Sequence, residues 1–115
     1  MAALTLETTE LAPQIWCIRI RGELDSSNLN RLKEAFDQIF ARKIYRVVVN
    51  LEKARYVASS GIGCIIGGYT TAIKNGGRLV MAAVPLQVKE VLDLIGLGGV
   101  LRFAKDESAA LGQFV

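Results

Sequence analysis

Histidine is absent from this 115-residue chain. That removes every Ser-His-Asp and Cys-His arrangement for nucleophilic catalysis and every mixed Cys/His zinc site. Cysteine is scarce: Cys17 and Cys64 are the two present, with no C-x-x-C spacing. Both lie inside apolar patterns, which reads as two reduced, buried thiols in a cytosolic protein. The spacing alone leaves a disulfide between them open. No apolar run reaches the roughly 18 residues that a membrane span needs. The opening Met1-Ala2-Ala3-Leu4-Thr5 has no basic region ahead of an apolar core, so it is not a signal peptide. A cytoplasmic protein away from membranes is expected. The Lys and Arg residues are spread along the chain behind a net charge of +3. The clustered basic stripe and interleaved aromatics of a nucleic-acid binder are missing. No catalytic residue, metal, cofactor or nucleic-acid partner is expected.

What is present suits one globular domain over residues 1–115. The apolar fraction is 51% and the charged fraction 22%, enough for one core and normal for a folded domain.

Leu4 and Leu6 alternate with Thr5 and Glu7, a short first strand. Residues 10–13 read as a turn. From Ile15 to Arg21 the alternation returns, with Trp16, Ile18 and Ile20 on one face and Arg19 and Arg21 on the other. The two strands form an antiparallel hairpin ending near Gly22. Asp25, Ser26, Ser27 and Asn28 are N-cap candidates. Leu29, Leu32, Phe36, Ile39 and Phe40 then predict a helix over 27–42, with Arg31, Lys33, Glu34, Asp37 and Gln38 as its solvated faces. Val47, Val48 and Val49 mark a strand buried on both sides within 44–51. Residues 52–58 read as a connection. A second helix runs over 60–74, with Ile62, Ile65, Ile66, Tyr69 and Ile73 as its stripe, and Asn75-Gly76-Gly77 ends it. A fourth strand covers 79–84. Pro85 opens a third helix with Val88, Val91, Leu92 and Ile95 inward. A short strand over 100–103 and a last helix over 106–114, capped by Asp106, complete an α/β layered domain. The sheet is mixed, with about five strands and about four helices.

The unusual segment runs from Tyr56 to Gly68, out of a strand and into the second helix. Ser59 and Ser60 sit where a helix leaves its first N–H groups unpaired, and a serine N-cap is the plain reading. Gly61, Gly63, Gly67 and Gly68 are harder to explain, because each interior glycine costs about 0.5–1 kcal/mol relative to alanine. Either the helix packs closely on its own sheet, or it offers a face that another protein's backbone can approach. Ser60-Gly61-Ile62-Gly63 is only a weak phosphate cradle, since G-x-x-x-x-G-K-[ST] and G-x-G-x-x-G are both absent. The G-x-S-x-G elbow of a hydrolase is absent too. A Ser–Lys pair with Lys53 or Lys89 stays formally open.

Arg21-Gly22-Glu23-Leu24-Asp25 before the first helix, Ser59-Ser60-Gly61-Ile62-Gly63 opening the second, and the order of elements resemble the STAS family. The likeness covers about residues 4–114, and within the family it is greatest to bacterial anti-sigma-factor antagonists. The resemblance implies a non-enzymatic partner switch in stress-type transcription control. The serine before the glycine, here Ser60 and less readily Ser59, would be phosphorylated by an anti-sigma factor that is also a serine kinase. A serine phosphatase would reverse it. The implied partner surface comprises Asp25, Ser26, Ser27, Ser59, Ser60, Gly61, Gly63 and Cys64. The family usually reads Asp-Ser-Ser-Gly, and this chain has Ala58 at the acidic position. It also has Asn50 where the central strand often ends in Asp. Ala58 keeps a second reading open, a STAS adaptor or subunit of a larger assembly that is never phosphorylated. A small nucleotide-binding domain is a third.

Overall fold

The computed structural model describes residues 3–114. Met1 and Ala2 of the N-terminal segment lie outside them, as does Val115. The elements are β1 (Leu4–Ala12), β2 (Ile15–Leu24), α1 (Leu29–Ala41), β3 (Arg46–Asn50), β4 (Ala54–Val57), α2 (Ser59–Lys74), β5 (Arg78–Ala82), α3 (Leu86–Leu94), β6 (Arg102–Ala104) and α4 (Glu107–Leu111). A 3-10 turn over Gly112–Phe114 follows α4.

β1 and β2 pair antiparallel, and β2, β3, β5 and β6 follow in parallel order. The hairpin is longer than the sequence suggested. β1 runs on to Ala12 with a register shift near its end, so residues 10–12 belong to the strand and not to a turn. The sheet has six strands, one more than expected. The extra one is β4, inside the segment read as a connection. It pairs with the end of β2 beyond the reach of β3.

Strand alternation divides the core between two faces. Ile18, Ile20, Val47, Val49, Leu79 and Met81 face α1, α2 and α3, meeting Leu32, Phe36, Ile62, Ile65 and Leu92. Cys17, Val48, Val80 and Ala82 face the other way and are covered by α4 through Ala110 and Leu111. β2 is therefore covered on both faces over much of its length. The valine run of β3 is fully buried, as its lack of alternation implied. Asp106 caps α4, with its Oδ1 accepting from Ala109 N at 2.8 Å. Cys17 and Cys64 are both free thiols, the first buried and the second half-buried. No helix among the described residues is long and apolar enough to cross a membrane.

Candidate protein-docking site

Backbone pairing brings the candidate residues together. β2 and β4 meet at Leu24 and Val57, and Ala58 N donates to Leu24 O at 2.8 Å. The chain leaving β2 and the start of α2 are thus neighbours. Gly22 permits this. It sits at φ +89 where the register of β2 shifts, and an added Cβ there would strike the carbonyl oxygen of Ala3.

Beyond Leu24 the loop is tied down locally. Asp25 Oδ1 accepts from Ser27 N at 2.9 Å and from Ser27 Oγ at 2.5 Å. Those bonds hold the Asp25 carboxyl below its usual range. Asn28 is the N-cap residue of α1, but its side chain makes no cap bond. Instead its Oδ1 accepts from Asp25 N, and its Nδ2 donates to Glu23 O at 2.9 Å. α1 consequently starts at Leu29 and not at 27. Ser26 and Ser27 are exposed.

The start of α2 corrects the serine N-cap expectation. Ala58 is the N-cap, extended at φ −67 and ψ 161, and it offers no side-chain acceptor. Because its N–H is fixed on Leu24 O, the helix winds from there. Ser59 becomes the first helical residue and Ser60 the second. Their surroundings carry the positive end of the helix dipole. Ser59 is exposed and Ser60 half-buried. Among the described residues neither hydroxyl makes a hydrogen bond.

The two explanations for the glycines divide by residue. An added Cβ on Gly61 would lie 2.7 Å from Leu24 Cδ2, and one on Gly68 2.6 Å from the Phe36 ring. These two let α2 approach β2 and α1. A Cβ on Gly63 or Gly67 meets nothing within 4 Å. Both are exposed, and with Ser60 they form a stripe at spacings of three and four along one helix face.

On one side of this stripe lies a groove of about 630 Å³ between α1 and α2. Ser60, Cys64 and Gly67 line one wall, and Asn30, Lys33 and Asp37 the other. Burial pushes the Cys64 thiol up; the Lys33 charge pulls it down and that of Asp37 adds to the rise. Lys33 and Asp37 thus reach the groove, although their positions on α1 read as solvated surface.

On the other side lies exposed apolar surface. Leu86 and Leu94 are 69% and 86% exposed, and Tyr56, Val91 and Ile95 are also open. Tyr56, Val57, Ile62, Val88 and Val91 share a shallow depression. This corrects the expected core face of the third helix. Only Val88 and Leu92 of α3 are buried, one turn apart on a helix of nine residues. Ile73 of α2 is likewise exposed rather than inward.

A cleft of about 370 Å³ on the α4 face is a clamp rather than an open site. Arg19 donates to Glu107 from Nε at 2.6 Å and from Nη2 at 2.8 Å, and its Nη1 donates to Glu7 at 2.8 Å. Asn50 Nδ2 donates to Glu107 at 2.6 Å. The Arg19 bonds, joined by that of Asn50, hold the Glu107 carboxyl down to about 2. Burial, with Glu107 beside it, pushes the Cys17 thiol up to about 12.

A family model described as STAS domain matches residues 7–110. An anti-sigma F factor antagonist of Paenibacillus polymyxa is 30% identical over 97 residues, spanning 84% of this chain and 83% of that protein. Among solved structures, an anti-sigma factor antagonist from Mycobacterium paratuberculosis superposes with a TM-score of 0.86 at 18% identity, covering 97% of this chain and 94% of the other. The Bacillus cell fate determinant SpoIIAA in its phosphorylated form gives 0.78 at 20% identity, covering 95% and 98%. Both superpositions are a likeness of fold.

Proposed function

The chain belongs to the STAS domain family, and on that premise we propose that it is a cytoplasmic anti-sigma-factor antagonist gated by phosphorylation of Ser60. Unphosphorylated, it binds an anti-sigma factor that is also a serine kinase, and so frees the sigma factor. Phosphate on Ser60 breaks that complex, and a serine phosphatase restores it. The observation that carries this reading is the Ser60 hydroxyl. It is free of hydrogen bonds among the described residues, at a helix start, in line with two open glycines and between a groove and exposed apolar surface.

The physics suits a switch. A phosphoserine carries about −1.5 to −2 charges, which a helix N-terminus tolerates. The scaffold therefore survives modification, and the cost falls on the complex. A dianion desolvated in an interface shaped for a hydroxyl costs several kcal/mol. Each 1.4 kcal/mol is tenfold in affinity.

Titration calorimetry against the cognate anti-sigma factor tests it. Ser60→Ala keeps the native affinity and Ser60→Asp loses at least tenfold, with both variants folded. Equal affinity of the two variants would end the gating idea. One observation favours the adaptor reading instead: Ala58 supplies no carboxylate beside the acceptor. Intact mass after incubation with ATP and the kinase separates the two, because an adaptor gains no phosphate.

A further inference from the structure

We propose that Lys33 is the counter-ion of a phosphate on Ser60, tying α1 to α2 across their groove. The inference rests on the phosphorylation reading above and adds a positioning residue to it. The strands that lead into the two helices, β2 and β4, are parallel neighbours, so both N-termini open at the same end of the sheet. Their alignment is fixed by Phe36, whose ring fills the space left by Gly68. One turn back along each helix lie Lys33 and Cys64, and one turn further lie Asn30 and Ser60. Lys33 and Ser60 line the same groove. That the Lys33 charge reaches the thiol of Cys64, four residues on from Ser60, agrees with this level.

Among the described residues, Lys33 is the one basic residue lining the groove. Among the described residues it forms no ion pair, since the bridges there join Arg19 and Arg55 to glutamates. Four other cations are occupied or on another face. Arg31 Nη1 donates to Leu4 O at 2.7 Å, Lys89 lies over the Phe103 ring, and Arg21 and Lys53 line the α4-face cleft. Asp37 on the same groove wall and Asp25 in the loop before α1 act in the opposite sense. A phosphate has three acceptor oxygens. The first N–H groups of α2 satisfy part of that demand, and the Lys33 ammonium adds a charged donor. Phosphorylation then closes the mouth of the groove and holds the dianion on the domain's own surface.

Phosphoserine installed at residue 60 during translation tests the pairing without relying on any kinase. Phosphorus NMR against pH reads the second ionisation of the phosphate. Lys33→Gln raises its midpoint by about half a pH unit over the native side chain, and Lys33→Arg restores it. Coincident midpoints for Lys33 and Lys33→Gln overturn the counter-ion and leave partner switching standing. If Ser60→Asp binds the partner like native while the midpoints still differ, the switch reading falls and the pairing stands. Lys33 is exposed, and the native melting temperature of unphosphorylated Lys33→Gln will show that the domain is intact.

Discussion

A Cβ added to Gly61 would stand 2.7 Å from Leu24 Cδ2, whereas one added to Gly63, two residues on, meets nothing within 4 Å. Two glycines in one helical turn thus face opposite demands. Gly61→Ala overpacks the junction of α2 with β2 and is expected to cost about 1–3 kcal/mol. Gly63→Ala removes only a helix penalty and is expected to add about 0.5–1 kcal/mol. Urea unfolding of both variants checks this. Equal stabilities would mean that α2 does not lie as close to Leu24 as described.

The apolar surface beyond α2 gives a second expectation. Leu94 and Leu86 are largely exposed, so Leu94→Ser and Leu86→Ser should change stability by no more than about 0.5 kcal/mol. If this surface is part of the docking face, Leu94→Ser weakens anti-sigma-factor binding about tenfold or more. Calorimetry on a folded variant with unchanged affinity would confine the interface to the serine side of α2.

Glu107 makes acid stability depend on a contact far apart in sequence. Its carboxyl lies at about 2 against an ordinary 4.5. A depressed carboxylate stabilises the fold above its unfolded pKa, and that contribution is lost as pH falls towards the folded value. The loss therefore spans about pH 4.5 down to about pH 2 and, reduced by solvent screening at a partly exposed carboxylate, is expected to reach roughly 2 kcal/mol. Unfolding midpoints measured through that window should fall more steeply for the native chain than for Glu107→Gln. Parallel curves would show that Glu107 does not couple to the fold through Arg19.

The same contact marks where the sequence stops being legible. The two-fold period placed β2 and the near-four-fold period placed α1 and α2, because each buries a regular stripe, whereas unbroken apolar runs placed β3 and β5, which are buried on both faces. Arg19 read only as part of the polar face of its strand, since nothing in its neighbourhood announces Glu107, 88 residues away. β4 was hidden for a different reason. Ala54-Arg55-Tyr56-Val57 has no buried residue, and it is a strand only because β2 continues past β3. Val91 and Ile95 fit the helical period of α3, yet periodicity states which residues share a face and not whether anything covers it. At the site, the Ser59-Ser60-Gly61 motif was visible, but Lys33 was not. Its place in the groove depends on how Phe36 seats against Gly68.

Ala58 stands at the N-cap of α2 with the extended backbone of that position and no side-chain acceptor. Ala58→Asp supplies one, and its carboxylate can accept from the N–H of Ser60 or Gly61. The expected gain is about 1 kcal/mol at neutral pH, lost as the pH falls through the new group's lowered pKa. Ala58→Asn gives a comparable cap whose benefit does not depend on pH. The acid of the family's Asp-Ser-Ser-Gly pattern would therefore sit on the same N–H groups that a phosphate on Ser60 would use. With phosphoserine at residue 60, the stabilisation from Ala58→Asp should shrink or reverse, because two anions then compete for one helix terminus. Thermal unfolding of the four combinations, Ala58 or Ala58→Asp with serine or phosphoserine at 60, reads that coupling directly. Additive effects would show that the phosphate does not engage the start of α2. A negative coupling would show that Ala58 leaves the terminus free for the phosphate.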